Sequence, residues 1–138
     1  MLGLNDDIRN AQLQLIVDAI DADSNPGYME MYDGDQPATG AAVTDQTLLG
    51  VLTFSQPCGV VVAGEIEFDT ITGEDGALDS GTITWARVYD GAGNFVMDMD
   101  VGTEGQGKAI TMNTTAVTQG APISLAGGTL SAGNVGVT

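Results

Sequence analysis

Asn94-Phe95-Val96-Met97-Asp98-Met99-Asp100-Val101 is the stretch on which the fold turns. Phe95, Met97, Met99 and Val101 alternate with Asn94, Val96, Asp98 and Asp100. A period of two sets the first row against a core and leaves the second, largely acidic, row in water. The same rhythm continues on both sides, with strands expected at Tyr28–Tyr32, Thr47–Phe54, Val60–Val62, Glu65–Ile71, Gly81–Tyr89, Ala109–Met112, Ala116–Thr118 and Ile123–Leu125. Asp33-Gly34, Gly73-Glu74-Asp75-Gly76 and Asp90-Gly91-Ala92-Gly93-Asn94 lie between them and supply the residues that tight turns and positive φ require.

Only the beginning of the chain departs from this rhythm. Ile8, Ala11, Leu15, Ile16, Ala19 and Ile20 recur at three- and four-residue intervals, which predicts an amphipathic helix over 6–20 that buries this stripe and leaves Arg9, Asn10, Gln14 and Asp18 outside. Asn5 or Asp6 suits its cap, and Asp21-Ala22-Asp23-Ser24-Asn25-Pro26-Gly27 stops it. Asp18, Asp21 and Asp23 oppose the dipole at its C-terminal end, so packing must hold the helix. The pattern predicts a mainly β fold: an antiparallel β-sandwich or jelly-roll-like barrel with one N-terminal amphipathic α-helix. With 138 residues, a single domain over 1–138 is expected. Residues 127–138 read as a flexible or edge-strand tail.

Composition removes large parts of chemistry. Nineteen Asp and Glu stand against three cations, Arg9, Arg87 and Lys108, for a net charge of −16, and there is no histidine. Nucleophile–histidine pairs, imidazole bases and histidine-ligated metals are therefore excluded. Three scattered cations cannot neutralise a run of phosphates, so direct nucleic-acid binding is not expected, and anionic membranes would repel the chain. The single cysteine lies in the apolar run Pro57-Cys58-Gly59-Val60 with no cation beside it, and reads as a buried filler. No signal peptide or transmembrane segment is legible.

Individual constellations read as structure rather than as sites. Asp21-x-Asp23-x-Asn25 begins like a calcium loop, but Pro26 and Tyr32 occupy the positions that need glycine and glutamate. Asp98 and Asp100 lie near Asp90 and Asn94, an arrangement read as a solvated acidic face rather than a cation site. A carboxylate-only glycosidase would need a defined acid pair and sugar platforms, and one Trp and three Tyr are few. Gly105-Gln106-Gly107-Lys108 lacks the full phosphate-loop spacing and reads as a hairpin turn. Arg87 shares strand parity with Ile83, Trp85 and Tyr89, and its expected role is a structural ion pair. No catalytic, cofactor-binding or metal-ligating residue is expected, and no cofactor.

Taken in order, several segments resemble a family of small structural proteins of tailed bacteriophages. They are the helix, Tyr32-Asp33-Gly34-x-x-Pro37, Leu48-Leu49-x-x-Leu52 and Gly81-Thr82-Ile83-Thr84-Trp85-Ala86-Arg87, followed by Asp90-Gly91-Ala92-Gly93, Val101-Gly102-Thr103 and Gly120-x-x-Ile123-Ser124. The likeness spans nearly the whole chain and rests on strand-and-turn signatures. It implies a non-enzymatic virion component, a head decoration (cement) protein whose partners are the major capsid protein and other copies of itself. Its place would be the exterior of the phage head, after assembly in the host cytoplasm. Tyr32, Asp33, Gly34, Pro37, Trp85 and Arg87 would then be structural motif residues. The alternatives are a tail or neck component and an extracellular carbohydrate- or receptor-binding module.

Overall fold

The computed structural model describes residues 3–125 and 128–131. Helix α1, Asp6–Ile20, precedes ten strands: β1 Tyr28–Tyr32, β2 Leu48–Thr53, β3 Gly59–Val62, β4 Glu65–Phe68, β5 Gly81–Thr82, β6 Trp85–Tyr89, β7 Phe95–Thr103, β8 Ile110–Met112, β9 Ala116–Val117 and β10 Gly128–Ser131. The protein is mainly β, a sandwich- or barrel-like arrangement with the N-terminal helix added. A five-stranded sheet in the order β2-β1-β6-β7-β8 is joined by a three-stranded sheet, β10-β4-β3, and a two-stranded one, β5-β9. Of the expected tail, Gly128–Ser131 pairs with β4, and the remainder lies outside the described residues.

The main core lies on one face of the large sheet. Met29 and Met31 of β1, Ala86 and Val88 of β6, and Met99 and Val101 of β7 meet Leu13, Val17 and Ile20 of the helix and Ile66 of β4. Cys58 fills the same core, fully buried, and burial with the nearby Asp21 carboxylate pushes its thiol up to about 12.

The helix has the expected span and is capped by Asn5, whose Oδ1 accepts the Asp7 amide at 2.8 Å. Its expected burial stripe is corrected. Ile20 is buried and Ile16 half-buried, but Ile8, Ala11, Leu15 and Ala19 face solvent, and Leu13 and Val17 complete the buried row. The β3–β4 hairpin sets this rotation. Its tip donates the Gly64 amide to Asn10 Oδ1 at 2.8 Å, and a Cβ on Gly64 would run into the Arg9 guanidinium. Asn10 and Arg9 are thereby drawn to the protein side.

Other expectations shift for local reasons. The strand expected over Gly81–Tyr89 divides, because Ile83 and Thr84 turn aside: the Ile83 amide donates to Thr115 and that of Thr84 to Tyr32. The strand from Glu65 ends at Phe68, and Ile123 contributes only a bridge to Glu74. Gly105-Gln106-Gly107-Lys108 does not form a hairpin. The loop folds back over Gly102 and delivers β8 parallel to β7, with Val101 opposite Ile110. Gly102 permits this, since a Cβ there would strike Gln106 Oε1 and Lys108 Cγ, and Gln106 Oε1 instead accepts the Thr103 amide at 2.9 Å.

Candidate functional site

The site is the face of the five-stranded sheet that points away from the main core. Cross-strand partners share a face. Tyr28 opposes Tyr89, Glu30 opposes Arg87 and Tyr32 opposes Trp85 between β1 and β6. Between β6 and β7, Trp85 opposes Asp100, Arg87 opposes Asp98 and Tyr89 opposes Phe95. Five of the seven aromatic side chains thus gather around one arginine and its carboxylates.

A bulge in β7 adds Phe95 to this grouping. Val88 pairs with Met97 and Tyr89 with Phe95, leaving Val96 unpaired, so parity reverses there. Phe95 therefore leaves the row of Met97 and Met99 expected from the alternation and joins the Arg87 face, where it is 42% exposed. Asp98, expected on a solvated acidic face, is instead buried, its side chain 1% exposed, and chelated by Arg87: Nε donates to Oδ1 at 2.7 Å and Nη2 to Oδ2 at 3.0 Å. The guanidinium also lies 5.3 Å from the ring centres of both Trp85 and Phe95. This pair is the structural role expected for Arg87. Hydrogen bonding to Asp98 raises the arginine pKa against the opposing effect of burial.

The loop from Asp33 to Thr47 straps across this face. Trp85 is fully buried beneath it, with its ring stacked on Tyr32 at 4.6 Å and its indole N–H donating to the Asp33 carbonyl at 3.0 Å. The Thr84 hydroxyl donates to the Gly34 carbonyl at 2.5 Å, and Asp33 Oδ1 accepts the Thr47 amide at 2.5 Å, closing the loop base. Gly34 has φ 74°, the left-handed region that glycine adopts without strain. Farther along, the Gly40 amide donates to Asp98 Oδ2 at 3.0 Å, and a Cβ on Gly40 would sit 3.2 Å from the Phe95 ring. Five of the six motif residues, Tyr32, Asp33, Gly34, Trp85 and Arg87, therefore belong to one assembly. Pro37 lies half-buried in the strap.

Glu30 and Tyr28, not singled out by sequence reasoning, complete the cluster with Tyr89, Phe95 and Asp98. Tyr32 donates its hydroxyl proton to Glu30 at 2.7 Å. Burial, and then Glu30, raise the Tyr32 pKa well above the ordinary tyrosine value, and the Tyr28 and Tyr89 values rise for the same two reasons. Tyr28 and Tyr89 stack at 5.2 Å and are half-buried. Tyr32 with Glu30, and Arg87 with Asp98, are thus bonded in pairs beside aromatic edges that are partly open.

Four further acidic groups, Asp90, Asp100, Asp21 and Asp23, are similarly engaged. Asp90 closes the β6–β7 turn, accepting the amides of Ala92 and Asn94 at 2.9 and 2.8 Å and the Asn94 side chain at 3.0 Å. Asp100 accepts the Ala109 amide at 2.6 Å. Asp21 turns to the Cys58 amide, and Asp23 to that of Asn25 at 2.8 Å, so the calcium-like stretch forms a helix stop. Among the described residues, no group of three or more Cys, Asp and Glu side chains could hold a metal ion, and no helix is long and apolar enough to cross a membrane. A separate hollow of about 190 Å³ is lined by Met112–Thr114, Ala116, Val117 and Pro122–Ser124. The chain matches no protein-family model, no curated protein and no solved structure.

Proposed function

We propose that this protein is a non-enzymatic structural component of a bacteriophage virion, carried in many copies on the outside of the head as a decoration protein. Its partners in this reading are the major capsid protein and neighbouring copies of itself. One observation carries it: the two most distinctive stretches of the resemblance, Tyr32-Asp33-Gly34 and Thr84-Trp85-Ala86-Arg87, close on each other into a single bonded lock. Such a lock serves shape retention, which is what a repeated shell component needs. The charge of −16 suits the same role by keeping free copies apart and away from DNA.

Immunogold labelling of particles from the phage population that encodes the chain tests this. Even decoration of heads is the expected result. Label confined to necks or tails moves the protein to those structures, and its absence from every particle overturns the reading. The half-buried Tyr28–Tyr89 pair and exposed Phe95 favour a second reading, a carbohydrate- or receptor-binding module. That reading requires an oligosaccharide to perturb tyrosine or tryptophan emission. The structural role predicts blue-shifted Trp85 emission that no sugar quenches.

A further inference from the structure

We propose that the outward stripe of α1 is a docking surface for a basic, amphipathic helical segment of another protein. This inference does not depend on the virion reading. Leu15 and Ile8 are 69% and 52% exposed, and Ala11 and Ala19 are exposed on the same side. Leu15 is two residues from both Leu13 and Val17, about 200° around the helix, so the stripe lies opposite the face that packs on the core. The helix is already fixed by Leu13, Val17 and Ile20 and by the bond from Gly64 to Asn10, so it cannot roll to bury the stripe.

The spacing 8, 11, 15, 19 is that of an anchor row for a helix lying alongside, and the small Ala11 leaves room between Ile8 and Leu15 for a partner's side chain. Charge selects the occupant. Asp7 and Asp18 border the stripe, with Gln14 donating to Asp18 at 2.9 Å. The three cations of the chain each face an acid of the chain itself: Arg9 with Asp6 at 3.0 Å, Arg87 with Asp98 at 2.7 Å and Lys108 with Asp100 at 3.9 Å. A second copy would bring another −16 and set Asp7 and Asp18 against their equivalents. A lysine- or arginine-flanked apolar helix covers the row and complements both acids.

The probe is a synthetic helical peptide with leucines at i, i+3, i+4 and i+7 bordered by lysines, titrated calorimetrically into the full chain. Its control is a scrambled peptide of equal composition and no leucine stripe. The striped peptide should bind at least about tenfold more tightly than the scrambled one in about 0.15 M salt. The Ile8→Gln/Leu15→Gln variant should lose that preference with an unchanged melting temperature, and Asp7→Asn/Asp18→Asn should reduce both affinity and its salt dependence. Equal binding of the two peptides, or a preference that survives in Ile8→Gln/Leu15→Gln, overturns the proposal. A reversible dimer in sedimentation equilibrium that this variant dissolves would assign the stripe to a second copy, and flotation of the protein with phosphatidylcholine vesicles would assign it to lipid. Either result also overturns it.

Discussion

At Arg87, a planar guanidinium meets both oxygens of a buried carboxylate at 2.7 and 3.0 Å, with the Trp85 and Phe95 ring centres each 5.3 Å away. Removing one partner of such a pair strands the other charge out of water. Arg87→Ala is therefore expected to cost about 3–5 kcal/mol, read as a lowered urea midpoint. Arg87→Met combined with Asp98→Leu should recover most of that loss, because it removes the stranded charge as well as the pair. An unchanged midpoint in Arg87→Ala would contradict this account. Asp90 gives a pH-dependent case. Hydrogen bonds from the Asn94 side chain, and then from the backbone N–H groups of the turn, hold its pKa below the ordinary 3.8. A depressed carboxyl stabilises the fold above its unfolded value and loses that contribution as pH falls through the folded one. Asp90→Asn should thus be less stable than wild type at neutral pH, and the gap should close between about pH 5 and pH 2. A gap that stays constant on acidification would refute the assignment.

At the scale of elements, the β3–β4 hairpin carries a visible local cost. Its two-residue loop, Ala63-Gly64, has φ 51° and 79°, both positive as a type I′ turn demands. Gly64 accepts this without penalty, whereas the Cβ of Ala63 does not. Ala63→Asn is expected to raise stability by about 1 kcal/mol in chemical denaturation. Gly64→Ala should destabilise, both for its φ and because the added methyl would meet Arg9. Because the same hairpin fixes the rotation of α1, an effect of Gly64→Ala confined to the hairpin, with hydrogen exchange in α1 unaltered, would argue against this coupling. The β7 bulge acts similarly as a device of the whole element. Without it, Phe95 would stay on the core row with Met97 and Met99, so one unpaired residue, Val96, decides whether this ring joins the aromatic and ionic face.

For the molecule as a whole, charge is the largest unbalanced quantity. Exposed pairs such as Lys108 with Asp100 contribute little, so mutual repulsion among nineteen acids outweighs them. Raising NaCl from about 0.01 M to about 0.15 M shortens the screening length from about 30 to about 8 Å, and the melting temperature should climb with it. A melting temperature that falls over this range would mean that attractive pairs dominate instead. Much of the architecture was legible in the chain itself. Alternation in Tyr28–Tyr32 and around Met99, the glycine- and aspartate-rich turns, and the three- and four-residue spacing at the front are local properties of the backbone, and they specify strands, turns and a helix over 6–20 whose cap the sequence left between Asn5 and Asp6. The charge and the lack of histidine are properties of composition alone, and they narrow the chemistry open to the chain. Facing could not be read in the same way. Helix α1 is apolar on two sides, and the packing of Leu13, Val17 and Ile20 in the core, with the bond from Gly64 to Asn10, decides which side is buried. Phe95 changed face because a single unpaired residue reverses parity, Asp98 was buried on its expected row by Arg87 and the Gly40 amide, and the parallel entry of β8 depended on the bare backbone of Gly102. These outcomes rest on contacts between distant segments, whose energies appear only when the chain is closed on itself, whereas periodicity and turn chemistry act between neighbours and are written in the order of residues.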